Sequence, residues 1–391
     1  MKKLRIIVSG FIGLYPTGGV TWDYIQYPLG LHLMGHDVYY LEDTQQYARY
    51  QSAGRAWDDA SDSIEYLKKT MEEFGLTDRW AYRDIGSGRC YGMSLEQLKE
   101  ICRTADVFIN VSAATVLREE YLHIPTRALI DSDPMFTQVE YRNEHAAGPG
   151  TEPAPKASLL EWYTHHFSFG EHMHREGCLI PTLGVHWKPT RQPICLGYWA
   201  NEHPMPNHRF TSVMNWSVRS PLQYNGQQWG QKDVEFEKVQ PLPQHFPAEN
   251  FHLLLTGVSK EQQAELNRWG WTLSDPLKVL TSPQAYKSFI THSTAEFSVA
   301  KETYVKANSG WFSCRSACYL AAGRPVITQE TQWSRYIPSG RGLFAFTDLP
   351  SAVGAIAEVA AAPRKHSDFA REIARDYFDS SKVLNDLLNR L

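Results

Sequence analysis

The segment NSGWFSCRSACYLAAGRPVITQET, Asn308 to Thr331, orders its residue types as an anion site at a helix start requires. Ser309 and Gly310 form a small-residue turn ahead of a run with helical character from about Phe312 to Ala322. Gly323 suits a left-handed C-terminal stop, and Pro325 to Thr328 reads as a short buried strand. The unpaired N–H groups and positive dipole end of such a helix attract an anion. Arg315, in the first turn, adds a planar and permanently charged fork that matches phosphate oxygens. The competing reading is a core helix that carries one solvated arginine.

Two other groupings carry less chemistry. Gly18 and Gly19 lie between an apolar run and a helix-like stretch, but a G-x-G-x-x-G sequence is missing, which argues against a nicotinamide or flavin dehydrogenase. His165, His166, His172 and His174 lie close together without H-E-x-x-H spacing and fix no acidic general base. With fifteen histidines in the chain, such clustering arises by chance, and no metal site is assigned.

The elements that must position the anion site alternate between strand and helix patterns, which predicts parallel sheets covered by helices. Leu4 to Gly10 is an apolar run of buried-strand type, followed by Thr17-Gly18-Gly19-Val20 and a helix-like stretch to Met34 that Pro28 should kink. Gly35-His36-Asp37-Val38 then supplies a helix stop and a second strand. Helices are expected over Asp58 to Phe74 and Leu95 to Thr104, and strands over Asp106 to Val111 and Arg127 to Ile130. Gly148 to Pro155 reads as a loop, and the proline-rich stretch from Trp187 to Asn207 as an extended interdomain connection. The alternation restarts with Phe210 to Trp216 and Phe251 to Leu255, continues to Gly342 to Phe346, and ends in helices over Leu349 to Ala361 and the tail from Asp368.

Length and composition agree with two or three domains for 391 residues. A net charge of −4 supplies no global basic field, so nucleic acid is not indicated as a partner. Six cysteines without a C-x-x-C pair, and no long apolar signal region, point to a reduced cytoplasmic compartment. No apolar run reaches the about 18 residues that a transmembrane helix needs. The twelve tryptophans exceed what packing requires, and their faces suit sugar rings.

The Asn308–Thr331 block resembles the donor-nucleotide segment of GT-B fold glycosyltransferases, in which a glycine-containing loop, a helix and a Gly-x-Pro-Val turn cradle a nucleoside diphosphate. Gly310-Trp311-Phe312-Ser313 is also similar to the Gly-Trp-Asn-Ser core of the plant-type signature. Near the places where retaining members carry two glutamates, this chain has Gly310 and Cys318. The opening strand, glycine loop and Gly35-His36-Asp37-Val38 resemble the start of many bacterial members, including a poorly characterised group with a Tyr-Tyr-Leu-Glu-Asp second strand.

The resemblance implies two Rossmann-like, doubly wound parallel-sheet domains facing across a cleft. Their expected limits are 1–205 on the acceptor side and 206–368 on the donor side, with 369–391 crossing back. It implies a metal-independent enzyme that needs no cofactor and moves a sugar from a nucleoside-diphosphate sugar to an acceptor that the motifs do not name. Donor contacts are expected from Gly18, Gly19, Ser309, Gly310, Trp311, Ser313 and Thr331, with Arg315 on the diphosphate. Lys232 is either a phosphate contact or a solvated loop lysine, and Glu330 either binds sugar hydroxyls or caps the next helix. Arg335 and Ser339-Gly340-Arg341-Gly342 are weaker donor candidates.

An inverting transfer requires a base for the acceptor hydroxyl, whereas a retaining one needs none at that position. Asp23, Asp131 and Asp133 are the candidates, with helix capping and turn formation as the competing roles of Asp23 and Asp133. A non-hydrolysing nucleotide-sugar epimerase and a catalytically degenerate binding protein of the same fold are the alternatives.

Overall fold

The computed structural model describes residues 2–50, 56–146, 157–200, 208–217 and 220–391. Continuous apolar runs such as Ile6-Ile7-Val8 have no exposed surface, because helices cover both faces of a parallel sheet and leave no solvated side to alternate with. The first sheet has eight strands in the order Cys90–Gly92, Trp80–Arg83, Asp37–Glu42, Arg5–Ser9, Val107–Val111, Thr126–Asp131, His165–Ser168 and Lys188–Pro189. All its pairings are parallel except that of Cys90–Gly92 with Trp80–Arg83.

The second sheet has six parallel strands in the order Trp271–Ser274, Asn250–Thr256, Arg209–Asn215, Ala295–Ser298, Val326–Gln329 and Leu343–Phe346. The order in which strands are added reverses within each sheet, between the parallel neighbours Arg5–Ser9 and Val107–Val111 in the first and Arg209–Asn215 and Ala295–Ser298 in the second. Such switch points leave a crevice at the carboxyl ends of the strands. The result is two doubly wound domains facing across a cleft.

Local signals set several elements. Helix Leu95–Thr104 has the expected limits and begins at a reciprocal capping box between Ser94 and Gln97. Helix Gly18–Leu33 runs on through Pro28, which is buried within it. The proline-rich connection is less extended than expected. Lys188–Pro189 adds an edge strand, Leu196–Trp199 is a helical turn, and Trp187 and Trp199 are buried. Indole burial outweighs the extended preference of the prolines there. Residues 201–207 of that stretch, and the expected Gly148–Pro155 loop, lie outside the described residues. Phe289 and Ile290 lie on the buried face of helix Pro283–Thr291.

Helix Gly18–Leu33 lies where the two domains meet. Its Trp22 Nε1 donates to the Pro283 carbonyl at 2.9 Å, and Trp22, Tyr286, Phe312 and Cys318 belong to one core cluster. A Cβ at Gly18 would sit 2.1 Å from the Ser282 carbonyl oxygen, so only glycine permits this approach. The final helix, Ser380–Asn389, packs Leu384 and Leu387 against Ile6, Val8 and Tyr27 of the first domain. Among the described residues, no helix is long and apolar enough to cross a membrane.

Candidate active site

A cavity of about 870 Å³ lies between the domains, lined from both switch points. On the second-domain side, Ser313 is the N-cap of helix Cys314–Ala321 and makes no side-chain capping bond, which leaves its hydroxyl at the cavity wall. Arg315 lines the same wall with its side chain 11% exposed. Its Nε donates to the Glu296 carboxylate and its Nη1 to the Val213 carbonyl. Glu296, on strand Ala295–Ser298, is fully buried, so it orients the guanidinium from behind. Among the described residues nothing accepts from Nη2, and that edge of the fork is available.

Two lysines complete this wall. Lys232 starts helix Lys232–Phe236, and burial together with the Arg315 and Lys301 cations pushes its pKa well below the usual lysine value. Lys301 stands at the N-cap of helix Glu302–Lys306, over the rings of Phe136 at 4.4 Å and Tyr304 at 5.1 Å. Its Nζ reaches across to Asp133 Oδ1 at 2.7 Å.

The first-domain wall carries carboxylates. Asp23 lies inside helix Gly18–Leu33, whose N-cap is Thr17, so helix capping is not its role. Burial raises its pKa to about 7, opposed by the Arg315 charge. No donor among the described residues meets its carboxylate. Asp131 is already committed: it accepts from Thr137 Oγ1 at 2.7 Å, Gln138 Nε2 at 2.8 Å and Ser168 Oγ at 2.8 Å. It also accepts from the Asp133 N–H at 3.1 Å, which holds the Asp-Ser-Asp turn in shape. Asp133 is paired with Lys301, leaving Asp23 as the uncommitted carboxylate of the three.

Of the other residues expected to touch a donor, Gly19 and Trp311 line the cavity. Trp311 stacks on Tyr304 with ring centroids 4.4 Å apart and donates from Nε1 to the Ser132 carbonyl at 3.1 Å. Gly18, Ser309, Gly310, Glu330 and Thr331 lie outside the cavity lining, and Ser309, Gly310 and Thr331 form a brace around Trp311. Gly310 N–H donates to the Thr331 carbonyl at 2.6 Å, Thr331 Oγ1 to the Trp311 carbonyl at 2.7 Å, and Trp311 N–H to Ser309 Oγ at 3.2 Å. Gly310 has φ +73°, and a Cβ there would lie 2.5 Å from the His172 nitrogen. The glycine thus serves backbone geometry, where the motif suggests ligand contact. Glu330 accepts from the Gln332 N–H, but Gln332 and not Glu330 is the N-cap of the turn Trp333–Arg335, which has no side-chain cap, and Arg335 turns to Gln332 at 2.6 Å.

The histidine quartet is dispersed. His166 Nε2 faces the Leu160 carbonyl at 2.7 Å, His172 Nδ1 the Tyr336 hydroxyl at 2.8 Å, and His174 Nε2 accepts from the Trp187 N–H at 3.1 Å. Among the described residues, no group of three His, Cys, Asp or Glu side chains is placed to hold a metal ion.

Lys301 and Glu296 were not anticipated: Glu296 is on strand Ala295–Ser298, which the sequence pattern did not mark, and Lys301 is just past its carboxyl end, where ligand contacts gather. Glu42 is a third. It ends strand Asp37–Glu42 with no exposure, and accepts from the N–H groups of Gly13 (2.8 Å) and Leu14 and from the Tyr40 hydroxyl (3.0 Å). These bonds hold the loop that leads from the first strand to the cavity wall. Burial pushes the Glu42 carboxyl up from 4.5 to about 7 despite those donors.

The folded state therefore binds the extra proton between those values, and the Glu42 contribution to stability declines as pH rises through that window. Glu42→Gln replaces one acceptor oxygen with a donor facing an N–H. It should cost about 1–3 kcal/mol in urea unfolding and flatten the pH dependence of stability between 4.5 and about 7. An unchanged midpoint and slope would show that the loop does not depend on this carboxyl.

No protein-family model and no curated protein matches the sequence. Solved structures do match the fold. An α-glucosyltransferase bound to UDP and a 13-mer DNA aligns at TM-score 0.59 and 10% identity, over 100% of this chain and 99% of that one. AviGT4, a glycosyltransferase involved in avilamycin A biosynthesis, aligns at 0.54 and 12%, over 99% and 96%. A glycosyltransferase from Rickettsia africae ESF-5 aligns at 0.52 and 10%, over 100% and 98%. The two doubly wound sheets facing across a cleft, together with these alignments over nearly the full chain, make the architecture that of the GT-B fold.

Proposed function

We propose that the protein is a metal-independent glycosyltransferase that takes a sugar from a nucleoside-diphosphate sugar. The observation that carries this reading is the placement of Lys232, Lys301 and Arg315 on one wall of the cavity, across from an uncommitted Asp23. Preorganised cations beside a helix N-terminus stabilise the charge that builds on a departing diphosphate, the role a divalent ion would otherwise fill. Residues 206–368 are read as the donor side, 1–205 as the acceptor side, and 369–391 as the return segment.

In the reaction, the acceptor oxygen bonds to the anomeric carbon as the bond from that carbon to the phosphate oxygen breaks. The electron pair leaves with the diphosphate, and the acceptor proton passes to Asp23. A base with its pKa near 7 suits this step, because it is ionised enough to accept a proton and basic enough to draw it. Arg315 uses its unengaged edge on the phosphate, while Glu296 and the Val213 carbonyl keep the fork from rotating away.

The likeness to an α-glucosyltransferase bound to UDP supports a UDP-sugar as the first donor to try. Incubating the purified protein with UDP-, GDP- and dTDP-sugars should release one nucleoside diphosphate, detected by chromatography. Isomerised donor without release would instead establish the epimerase, and binding without turnover the degenerate protein.

A further inference from the structure

The charge of the cavity is divided by domain. Among the described lining residues, the cations Lys232, Lys301 and Arg315 all belong to the second domain, whereas the carboxylates Asp23, Asp131, Asp133 and Glu140 all belong to the first. The acidic wall also bears rings. Phe11 meets Tyr15 edge-on at 5.9 Å and Tyr24 at 5.6 Å, and Tyr15 continues to Tyr50 at 6.1 Å. All four rings line the cavity, and the row runs from buried Phe11 to Tyr50, which is 56% exposed. A row graded in this way leads from solvent to Asp23.

We propose that this wall receives the acceptor, and that the acceptor is a flat-ringed, hydroxylated small molecule that carries no negative charge. The inference rests on the glycosyltransferase reading above and extends it to the second substrate. Aromatic faces and edges hold a flat ring in offset or edge-on contact, and they tolerate or attract a cation. A phosphorylated or carboxylated acceptor would bring like charge against the carboxylates, which disfavours it. The phosphates of duplex nucleic acid need lysines and arginines, and the first-domain lining has none among its described residues. The cavity size suits a small ligand beside a nucleotide sugar.

Three phenols that share one ring and one hydroxyl test this: tyramine (cationic), tyrosol (neutral) and 4-hydroxyphenylacetate (anionic). Their dissociation constants are measured by ligand-observed NMR on the full chain saturated with UDP, at about pH 8, so that Asp23 is ionised. Tyramine should bind tightest and 4-hydroxyphenylacetate weakest, with the extremes at least about tenfold apart. Asp23→Asn and Glu140→Gln, each alone, should narrow that gap, which separates the effect of the wall from attraction by the bound diphosphate. Equal affinities, a preference for the anion, a gap unmoved by both variants, or displacement of tyramine by duplex DNA overturns the inference. If UDP binds and the ranking fails, only the acceptor class falls; if UDP itself does not bind, the transferase reading falls and takes this inference with it.

Discussion

Asp23→Asn lowers turnover of the nucleotide sugar by about 10²- to 10⁴-fold, the usual contribution of a positioned general base, and leaves UDP affinity unchanged. The asparagine fills the same space in helix Gly18–Leu33 and loses no side-chain hydrogen bond among the described residues, so folding is not the cause of the loss. The pH profile supplies the sharper readout. Because Asp23 works as the ionised form, kcat/KM of the unaltered protein climbs through about pH 7. Lys232 works as the protonated form and has a lowered pKa, so the profile falls again below the ordinary lysine range. In Asp23→Asn the acidic limb disappears and the alkaline limb stays. An acidic limb that survives the substitution would move the base elsewhere on the wall.

Arg315→Ala has two separate consequences. UDP binding, measured by calorimetry, weakens by more than about 1.5 kcal/mol, roughly tenfold or more, through loss of a charge-assisted contact. Stability falls by about 3–5 kcal/mol as well, because the fully buried Glu296 loses its counter-charge. One Glu296 oxygen already has no hydrogen-bond partner, so the remaining carboxylate would be buried and uncompensated. The Arg315→Ala, Glu296→Gln double variant separates the two effects, since it removes the orphaned charge and recovers part of the stability while UDP affinity stays low. Affinity that returned together with stability would mean that Arg315 serves the fold and not the phosphate.

The same arginine shows how far the chain can be read without coordinates. Its place in the first turn of a helix entered from a glycine turn is local information, and helix Cys314–Ala321 and strand Val326–Gln329 fall where the pattern puts them. Its partner Glu296 lies on a neighbouring strand, and nothing in the periodicity of Ala295–Ser298 marks that carboxylate as a support. Gly310 is a parallel case. The motif suggests a ligand contact, whereas the positive φ and the approach of His172 make it part of the brace that fixes Trp311. Both cases share a cause, since a polar or glycine residue at a strand or helix end is equally suited to a ligand and to a neighbouring backbone.

Sequence alone determined the alternation of elements and the place of Arg315 in the first turn of a helix, because these depend on apolar periodicity and on short-range helix and strand signals, whereas the two facing domains were implied by the resemblance of its motifs to the GT-B family. Tertiary structure decided which charges remain available at the cavity. It paired Asp133 with Lys301 across the cleft, enclosed Asp131 within four donors and turned Glu330 toward its own backbone, leaving Asp23 uncommitted. The reason is that hydrogen-bond capacity is consumed by whichever donors packing brings near, and decisive ones, Ser168 for Asp131 and Lys301 for Asp133, come from elements distant in the chain.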